Sequence, residues 1–147
     1  MNDTYSSNTL IILQYAEQLG CYASTVEIGD LPVTLMFHLD KDDDLKPAVH
    51  RAYAILAEFD TYSRRAEAYA VQELLPLKNE HWLKDLGDGE EPPLTPEQFT
   101  PRMTLEALGF YAEGNVTFYY DDGDLFFGHT IQLRMDAASN FIDADIP

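Results

Sequence analysis

Hydrophobic residues fall at every second position of one segment, and this alternation constrains the fold more than any other feature of the sequence. A Gly29-Asp30 pair precedes it, and the alternating residues are Leu31, Val33, Leu35, Phe37 and Leu39. A period of two places successive apolar side chains on one face of a β-strand, and a Gly-Asp pair is typical of a hairpin turn. Residues 25–39 are therefore predicted to form a β-hairpin. Pro32 cannot donate to a β-ladder, so it is expected at an edge position.

The hydrophobic period changes after residue 44, which predicts a long helix. Apolar residues now follow a spacing of three and four, at Leu45, Val49, Ala52, Leu56, Phe59, Ala66, Ala70, Leu74 and Leu77. This spacing places them in one stripe along an α-helix. The aspartates at 42–44 suit the positive N-terminal end of a helix dipole. Pro76 is expected to end or kink the helix, since proline removes a backbone hydrogen bond.

The N-terminal segment is open to two interpretations. Residues 10–17 fit a short helix that ends at Gly20, because glycine commonly follows the last helical turn. The β-branched pair Ile11-Ile12 makes a strand nearly as plausible in the same place.

The second half of the sequence has turn and strand signals. Residues 85–94 have the composition of a loop, and Thr95-Pro96-Glu97-Gln98 is a capping box for a short helix through Phe99. Strands are predicted at residues 103–111, 116–120, 125–135 and 141–146, with turns at 113–115 and 121–124. The whole chain, residues 1–147, is thus predicted to be a single acidic α+β domain. In it, an N-terminal β-hairpin, one long helix and one short helix pack on a C-terminal antiparallel β-meander.

The chain is strongly acidic, and its charge argues against one class of partner. Nine Lys and Arg against 26 Asp and Glu give a formal net charge of -17, and the only bases beyond residue 84 are Arg102 and Arg134. Such a surface repels phosphate backbones, so nucleic-acid binding is not expected. A basic protein would instead be attracted at long range. The alternative is that acidity only keeps the protein soluble.

Cysteine and histidine usage limits the location and the cofactors. Cys21 is the single cysteine, which rules out an intrachain disulfide and a thiolate metal cluster. The histidines lack the spacing of a zinc site, and no glycine-rich phosphate loop is present, so no metal or cofactor is expected. No apolar run approaches the roughly 20 residues of a membrane-spanning helix. A cytoplasmic protein without a membrane partner is the expectation, and the oligomeric state is not indicated.

His129 is the histidine whose position most suggests a function. In the predicted strand it shares a face with apolar residues only: Leu125, Phe127, Ile131, Leu133 and Met135. An imidazole on such a face is either buried with a hydrogen-bond partner or lines a cleft, and alternation does not separate the two. A structural histidine is the simpler interpretation, because no nucleophile or metal-ligand spacing accompanies it. No catalytic residue is assigned, and His129 is the candidate if one exists.

Three stretches of the sequence resemble a known family. They are residues 74–82 (LLPLKNEHW), 94–99 (LTPEQF) and 119–131 (YYDDGDLFFGHTI). In that order they resemble the bacterial DUF2262 family, a domain of unknown function, over roughly residues 66–146, and the last stretch is the most specific. The resemblance implies a small bacterial cytosolic protein without an established enzymatic activity. By size and charge such domains are similar to immunity proteins that neutralise toxins.

Two functions of different classes fit these observations. The first is non-catalytic protein binding, most specifically by an immunity-type inhibitor of a basic bacterial toxin such as a nuclease. Its candidate partner-binding residues are Asp121, Asp122, Asp124, Tyr119 and Phe126. The second is a small-ligand-binding protein or a hydrolase that uses His129 with an aspartate of the 121–124 turn. Enzymatic activity is the less expected of the two, because no set of residues meets the requirements of an active site.

Overall fold

The computed structural model describes residues 11–39, 44–85, 87 and 89–147, in which seven strands form one sheet in sequential order. The strands are β1 (Gln14–Ala16), β2 (Cys21–Ile28), β3 (Leu31–His38), β4 (Thr104–Tyr111), β5 (Val116–Asp121), β6 (Ile131–Met135) and β7 (Phe141–Asp145). Neighbouring strands are antiparallel except β3 and β4, which are parallel. The α+β class, the N-terminal hairpin and the C-terminal meander β4–β7 are confirmed.

The hairpin forms because its turn and its alternation agree. Gly29 has a φ of 63°, a backbone conformation that glycine adopts without strain. Val33, Leu35 and Phe37 are completely buried on one face of β3. Pro32 pairs with β2, but it precedes the first residue of β3 that pairs with β4, Thr34. Its missing N–H therefore interrupts no ladder in the centre of the sheet, as an edge position requires.

The helical stripe is divided between two helices. Helix α1 (Lys46–Ala57) ends at Glu58, whose φ of −119° and ψ of 32° are not helical, and α2 (Phe59–His81) begins directly after it. The prediction of one helix was therefore wrong at this residue, although the apolar stripe is buried on both sides of the break. Pro76 does not end α2, which continues to His81. Of the aspartates at 42–44, only Asp44 lies within the described residues, and its carboxylate accepts the Lys46 N–H at 3.0 Å.

The short helix α3 (Pro96–Phe99) confirms the capping-box prediction. The side chain of Gln98 accepts the N–H of Thr95 at 2.9 Å, and a single 3₁₀ turn (Thr100–Arg102) follows. Phe99 is completely buried, so the helix contributes directly to the core.

Two sequence predictions are corrected at the ends of the sheet. The segment before Gly20 is not helical over its described residues; it contains β1, so the strand interpretation was right there, while residue 10 lies outside them. The strand expected from residue 125 begins only at Ile131, because residues 122–130 form a loop. Leu125 and Phe126 are both completely buried in that loop, whereas two consecutive residues of a strand would face opposite sides.

The core lies between one face of the sheet and the helices. Phe37 and Phe110 stack there with ring centroids 5.1 Å apart, across the parallel strands. Arginine side chains tie the helices to turns of the meander: Arg51 of α1 donates to the carbonyl oxygens of Gly114 (2.9 Å) and Asp136 (3.0 Å). The helices and the sheet therefore share both apolar packing and directed hydrogen bonds.

Candidate functional site

The loop between β5 and β6 is organised by one carboxylate. Asp122 is only 2% exposed, and its two oxygens accept the N–H groups of Asp124 (2.9 Å), Phe126 (2.8 Å) and Gly128 (3.1 Å). Three backbone donors compensate the burial of this polar group, which is otherwise costly. Asp122 thus fixes the path of the chain over six residues.

The backbone of this loop adopts left-handed conformations that few residues favour. Gly123 and Gly128 have φ values of 54° and 92°, but Asp124 (67°) and Phe127 (58°) also lie in this region. An aromatic residue with positive φ is uncommon, and such strain persists only where the surrounding contacts impose it. Phe127 is also 50% exposed, so the loop presents a large aromatic side chain to solvent in a strained conformation.

Trp82, directly after α2, provides the wall against which the loop packs. Its ring centroid lies 5.6 Å from that of Phe126, 5.3 Å from that of Phe127 and 5.2 Å from that of His129. His129 is exposed, and its Nδ1 is hydrogen-bonded to the carbonyl oxygen of Phe126. The histidine is therefore neither sealed in the core nor part of a strand; it lies at the surface, with its ring at 74° to the indole ring of Trp82.

A buried ion pair between Lys78 and Glu91 lies next to the loop. The ammonium group of Lys78, on α2, is completely buried and hydrogen-bonds the carboxylate of Glu91 and the carbonyl oxygen of Trp82. The same group lies 5.8 Å from the ring centroid of Phe127. Burial acts to raise the pKa of Glu91, but the hydrogen bond from Lys78 and that from the N–H of Lys84 outweigh it and hold the pKa below its usual value.

Further polar contacts tie the loop at its surface. The ammonium group of Lys84 pairs with the Asp124 carboxylate at 2.5 Å, and this hydrogen bond is the main reason why the pKa of Asp124 is lowered. The guanidinium of Arg102 donates twice to the carbonyl oxygen of Gly123, at 3.0 and 2.6 Å. The loop is thus attached both to the segment that follows α2 and to the start of the meander.

The predicted partner-binding residues do not share one surface. Asp121 and Asp124 are exposed, but Asp122 and Phe126 are buried and therefore do not face a partner in this conformation. Phe126, predicted as a partner-binding residue, is buried, and its neighbour Phe127 is exposed instead.

Tyr119 belongs to another part of the sheet. It is half-buried on the face opposite Phe118, and its hydroxyl lies 3.3 Å from that of Tyr111. Burial and the contact with Tyr111 raise the pKa of Tyr119 well above its usual value. The ring of His38 stacks on Tyr111 with centroids 4.8 Å apart, so these side chains form a separate aromatic cluster.

The structure brings together the sequence stretches that carry the family resemblance. Lys78 and Trp82 come from the first, the second is α3, whose Phe99 ring lies 6.2 Å from that of Phe126, and the third is the loop itself. A family model described as "Uncharacterized protein conserved in bacteria (DUF2262)" matches residues 7–146. The chain belongs to the DUF2262 family. The match covers the N-terminal half as well, beyond the range that the sequence motifs indicated.

No curated protein and no solved structure gives a significant match to this DUF2262 domain. Within the described residues no helix is long and apolar enough to cross a bilayer, and no group of three or more His, Cys, Asp or Glu side chains is placed to hold a metal ion.

The chemistry available to His129 in this DUF2262 domain is limited by its neighbours. None of the three aspartates of the 121–124 turn is hydrogen-bonded to the imidazole: Asp122 is occupied by backbone amides, Asp124 pairs with Lys84, and Asp121 accepts the Gly123 N–H at 3.1 Å. The Nδ1 atom of His129 is instead bonded to the backbone carbonyl oxygen of Phe126, which orients the ring. The pairing of His129 with an aspartate of the turn, which the hydrolase alternative requires, is therefore not formed in this structure.

Three contributors to this site were not singled out from the sequence: Lys78, Glu91 and Phe127. Lys78 follows Leu74 by four residues, so it continues the apolar stripe of α2, and a lysine at such a position signals a buried partner. Glu91 and Phe127 lie in loops, where no periodicity marks the side chains that turn inward or outward.

Proposed function

We propose that this DUF2262 domain is a non-catalytic protein-binding domain that captures a basic protein. Its contact surface would be centred on Phe127 with the exposed aspartates Asp121 and Asp124, of which Asp124 is paired with Lys84. It is here called the Phe127 surface. The observation that carries the proposal is the conformation of Phe127: left-handed, half-exposed and imposed by the buried Asp122 carboxylate. Strained residues held in place by surrounding contacts concentrate at functional sites.

The rigidity of the loop supports a binding role. Aromatic side chains dominate the energetics of protein interfaces, and binding costs less when the contact residues are already ordered. Asp122, Arg102 and Lys84 attach the backbone and side chains of the loop at separate points. Phe127 would therefore enter an interface without losing much conformational freedom.

The distribution of the cations supports a basic partner. Most positively charged side chains of the described residues bond within the domain: Lys78, Lys84, Arg51, Arg65, Arg102 and Arg134. Their charges are directed to internal carbonyl oxygens and carboxylates, so the unpaired carboxylates dominate the outer surface. A surface of this kind accelerates encounter with a cationic protein and suppresses binding of anionic ones.

The most specific form of the proposal is an immunity-type inhibitor of a basic bacterial toxin such as a nuclease, acting in the cytoplasm. Toxins that act on nucleic acids carry cationic surfaces, which an acidic domain can cover. The rigid loop offers an anchor in its exposed Phe127, and the acidic surface of the domain offers electrostatic attraction. Size, charge and the Phe127 surface support this role together.

The test uses the domain as bait in lysate of its native organism, as wild type, Phe127→Ala and Ile142→Ala. Ile142 is a matched control, because it is 49% exposed and lies on β7. A specific basic protein is expected to bind wild type and Ile142→Ala, to be weakened at least tenfold by Phe127→Ala, and to dissociate at high salt. Co-expression should then suppress the toxicity of that protein with wild type but not with Phe127→Ala.

Other results would contradict the proposal at separate levels. Equal capture by Phe127→Ala and wild type would contradict the role of the Phe127 surface in binding. Binding that is independent of salt would contradict a role of the acidic surface in association. A captured protein that is not toxic would contradict the immunity role. A charge control compares Asp121→Asn with Asp145→Asn, both exposed, and only the former should slow association.

A further inference from the structure

One face of the Phe127 ring lies over a buried cation. The ammonium group of Lys78 is completely buried and lies 5.8 Å from the centroid of this ring. Phe127 itself is 50% exposed, so the face turned toward Lys78 is the inner one. The ring of Trp82, whose centroid is 5.3 Å away, is tilted by 52° against Phe127 and is not stacked on it. The outer face of Phe127 is therefore the part that a partner meets.

Three kinds of side chain commonly bind an exposed aromatic ring in an interface. Tryptophan, tyrosine and arginine contribute most to binding energy there, and each can stack on the face of a phenylalanine. Because the proposed partner is basic, arginine is the first choice to consider. The surroundings of Phe127 favour an aromatic ring instead, for two reasons.

The first reason is the charge beneath the ring. A cation is attracted to the negative face of an aromatic quadrupole, and Lys78 occupies the inner face of Phe127 in this way. Glu91 balances the charge of Lys78 at a distance, but the ring is polarised by the ammonium group that lies over it. The outer face is thus less negative than that of an isolated ring, and it attracts a second cation less. An electron-rich ring, such as that of tyrosine, stacks well on such a face.

The second reason is that the carboxylates of the loop are engaged within the domain. Asp122 accepts three backbone amides, and Asp121 accepts a backbone N–H. Asp124 pairs with Lys84, whose charge offsets the attraction of Asp124 for another cation. A guanidinium group on the ring of Phe127 would lose hydration without full compensation, whereas an aromatic ring there only buries apolar area.

We infer that the basic partner places an aromatic side chain, tyrosine or tryptophan, on the outer face of Phe127. Its Lys and Arg side chains then contact the acidic surface elsewhere. The inference rests on the proposed function, because it names the side chain that the Phe127 surface recognises. Lys78 has a role in recognition without touching the partner: it determines which side chain Phe127 accepts.

The test uses the blocked peptide acetyl-Gly-Tyr-Gly-amide and its analogues with leucine or arginine at the central position. Each is titrated into the full chain at about 0.5 M salt, which screens the net charge of -17. The indole N–H resonance of Trp82, the single tryptophan, reports binding because its ring contacts Phe127. The tyrosine peptide is expected to bind about threefold more tightly than either analogue, and Phe127→Ala should abolish this difference.

The double variant Lys78→Met/Glu91→Leu separates the effect of the cation from that of the ring. It removes both buried charges and keeps Phe127, so the preference for tyrosine over arginine should fall about twofold. Arg134→Met is the matched control, because it removes the cation of an exposed ion pair and should leave the preference unchanged. Equal emission of Trp82 in the double variant and wild type checks that the loop keeps its structure.

Other results would overturn the inference. Equal or tighter binding of the arginine peptide would mean that the cation does not select against a second one, and equal binding of the leucine peptide would mean that only apolar area matters. No response to the tyrosine peptide up to about 20 mM would mean that the outer face binds no ring. An unchanged preference in the double variant would contradict the role of Lys78.

These failures are distinguishable from failure of the proposed function. A preference for arginine at Phe127 would leave capture of a basic protein by the Phe127 surface intact. Conversely, a preference for tyrosine together with equal capture from lysate by Phe127→Ala and wild type would contradict the proposed function alone.

Discussion

The ammonium group of Lys78 is completely buried and hydrogen-bonded to the Glu91 carboxylate, thirteen residues further along the chain. This pair attaches the end of α2 to the loop that follows it, directly beneath Phe127. A buried pair contributes little net stability compared with apolar residues of the same volume, because both charges lose hydration. Removal of one partner is expensive, however, since the other charge is left without compensation.

Lys78→Met is therefore expected to lower the free energy of unfolding by about 3 kcal/mol. The double variant Lys78→Met/Glu91→Leu should recover at least half of that loss, because no buried charge remains. Urea unfolding gives both values. Arg134→Met is the matched control: its ion pair with Asp143 is half-exposed on both sides, and the cost should stay below about 1 kcal/mol. A double variant as unstable as the single one would contradict this account.

Glu91 should also make stability depend on acid pH. Its pKa in the folded state lies below the ordinary value of 4.5, so the unfolded chain takes up the proton first as the pH falls. The resulting stabilisation is complete above about pH 5 and is lost progressively as the pH falls through 4.5 toward the folded-state pKa. The stability difference between wild type and Glu91→Gln, measured by urea unfolding, should therefore narrow between pH 6 and pH 3.

Glu67 provides a control, because its pKa is shifted in the opposite direction to that of Glu91. Burial raises the pKa of its carboxyl, although a hydrogen bond from Ser63 acts against it. Ionised Glu67 therefore weakens the fold at neutral pH, and Glu67→Gln should be more stable than wild type there and lose this advantage in acid. A Glu67→Gln advantage that is the same at pH 6 and pH 3 would contradict the assignment for Glu67.

Asp122 should be essential for the loop, although its neighbour Asp121 is not. Asp122→Asn loses the charge and replaces one acceptor oxygen with an NH₂ group, so at least one of the three amides loses its acceptor, at about 2 kcal/mol. Trp82 is the only tryptophan and contacts the loop, so its fluorescence reports the rearrangement. Asp121→Asn, which loses a charge at an exposed position, should change neither stability nor emission noticeably.

Alanine substitutions at Gly123 and Gly29 distinguish the cost of backbone strain from the cost of steric overlap. Both have a left-handed φ, 54° and 63°, but only at Gly123 would a β-carbon overlap the carbonyl oxygen of Arg102. At Gly29 nothing lies within 4 Å of that position. Gly29→Ala should cost about 1 kcal/mol for the backbone alone, and Gly123→Ala about 2 kcal/mol more. Similar thermal midpoints for the two variants would mean that the loop moves freely away from Arg102.

The elements that the sequence predicted are those whose signals are local. The Gly29-Asp30 turn, the capping box at Thr95 and the alternation in β3 each act within a few residues, and each forms as expected. The break at Glu58 has no local signal, because glutamate is a good helix former; packing of two helices on one sheet overrides its propensity. The parallel pairing of β3 with β4 is likewise a long-range contact.

The candidate site was predicted less completely, and the reason lies in Asp122. The sequence indicated the turn, and turn chemistry explains Asp121 and Gly123. Alternation then predicted a strand through His129, because the pattern cannot show that the Asp122 carboxylate binds the amides of Phe126 and Gly128. These hydrogen bonds keep residues 125–128 out of the β-ladder. As a result Phe126 is buried and Phe127 is exposed, the reverse of what alternation predicted.

Phe127 should show that the loop stores strain. In most positions alanine is more stable than glycine by about 0.5–1 kcal/mol, but at a left-handed φ of 58° the order should reverse. Phe127→Gly is therefore expected to be about 1 kcal/mol more stable than Phe127→Ala, since both lose the ring and only alanine keeps the strain. The matched pair Ile142→Gly and Ile142→Ala, in β7, should show the ordinary order. If alanine is the more stable residue at both positions, the left-handed conformation is not imposed on Phe127, and the argument that strain marks it as a contact residue fails.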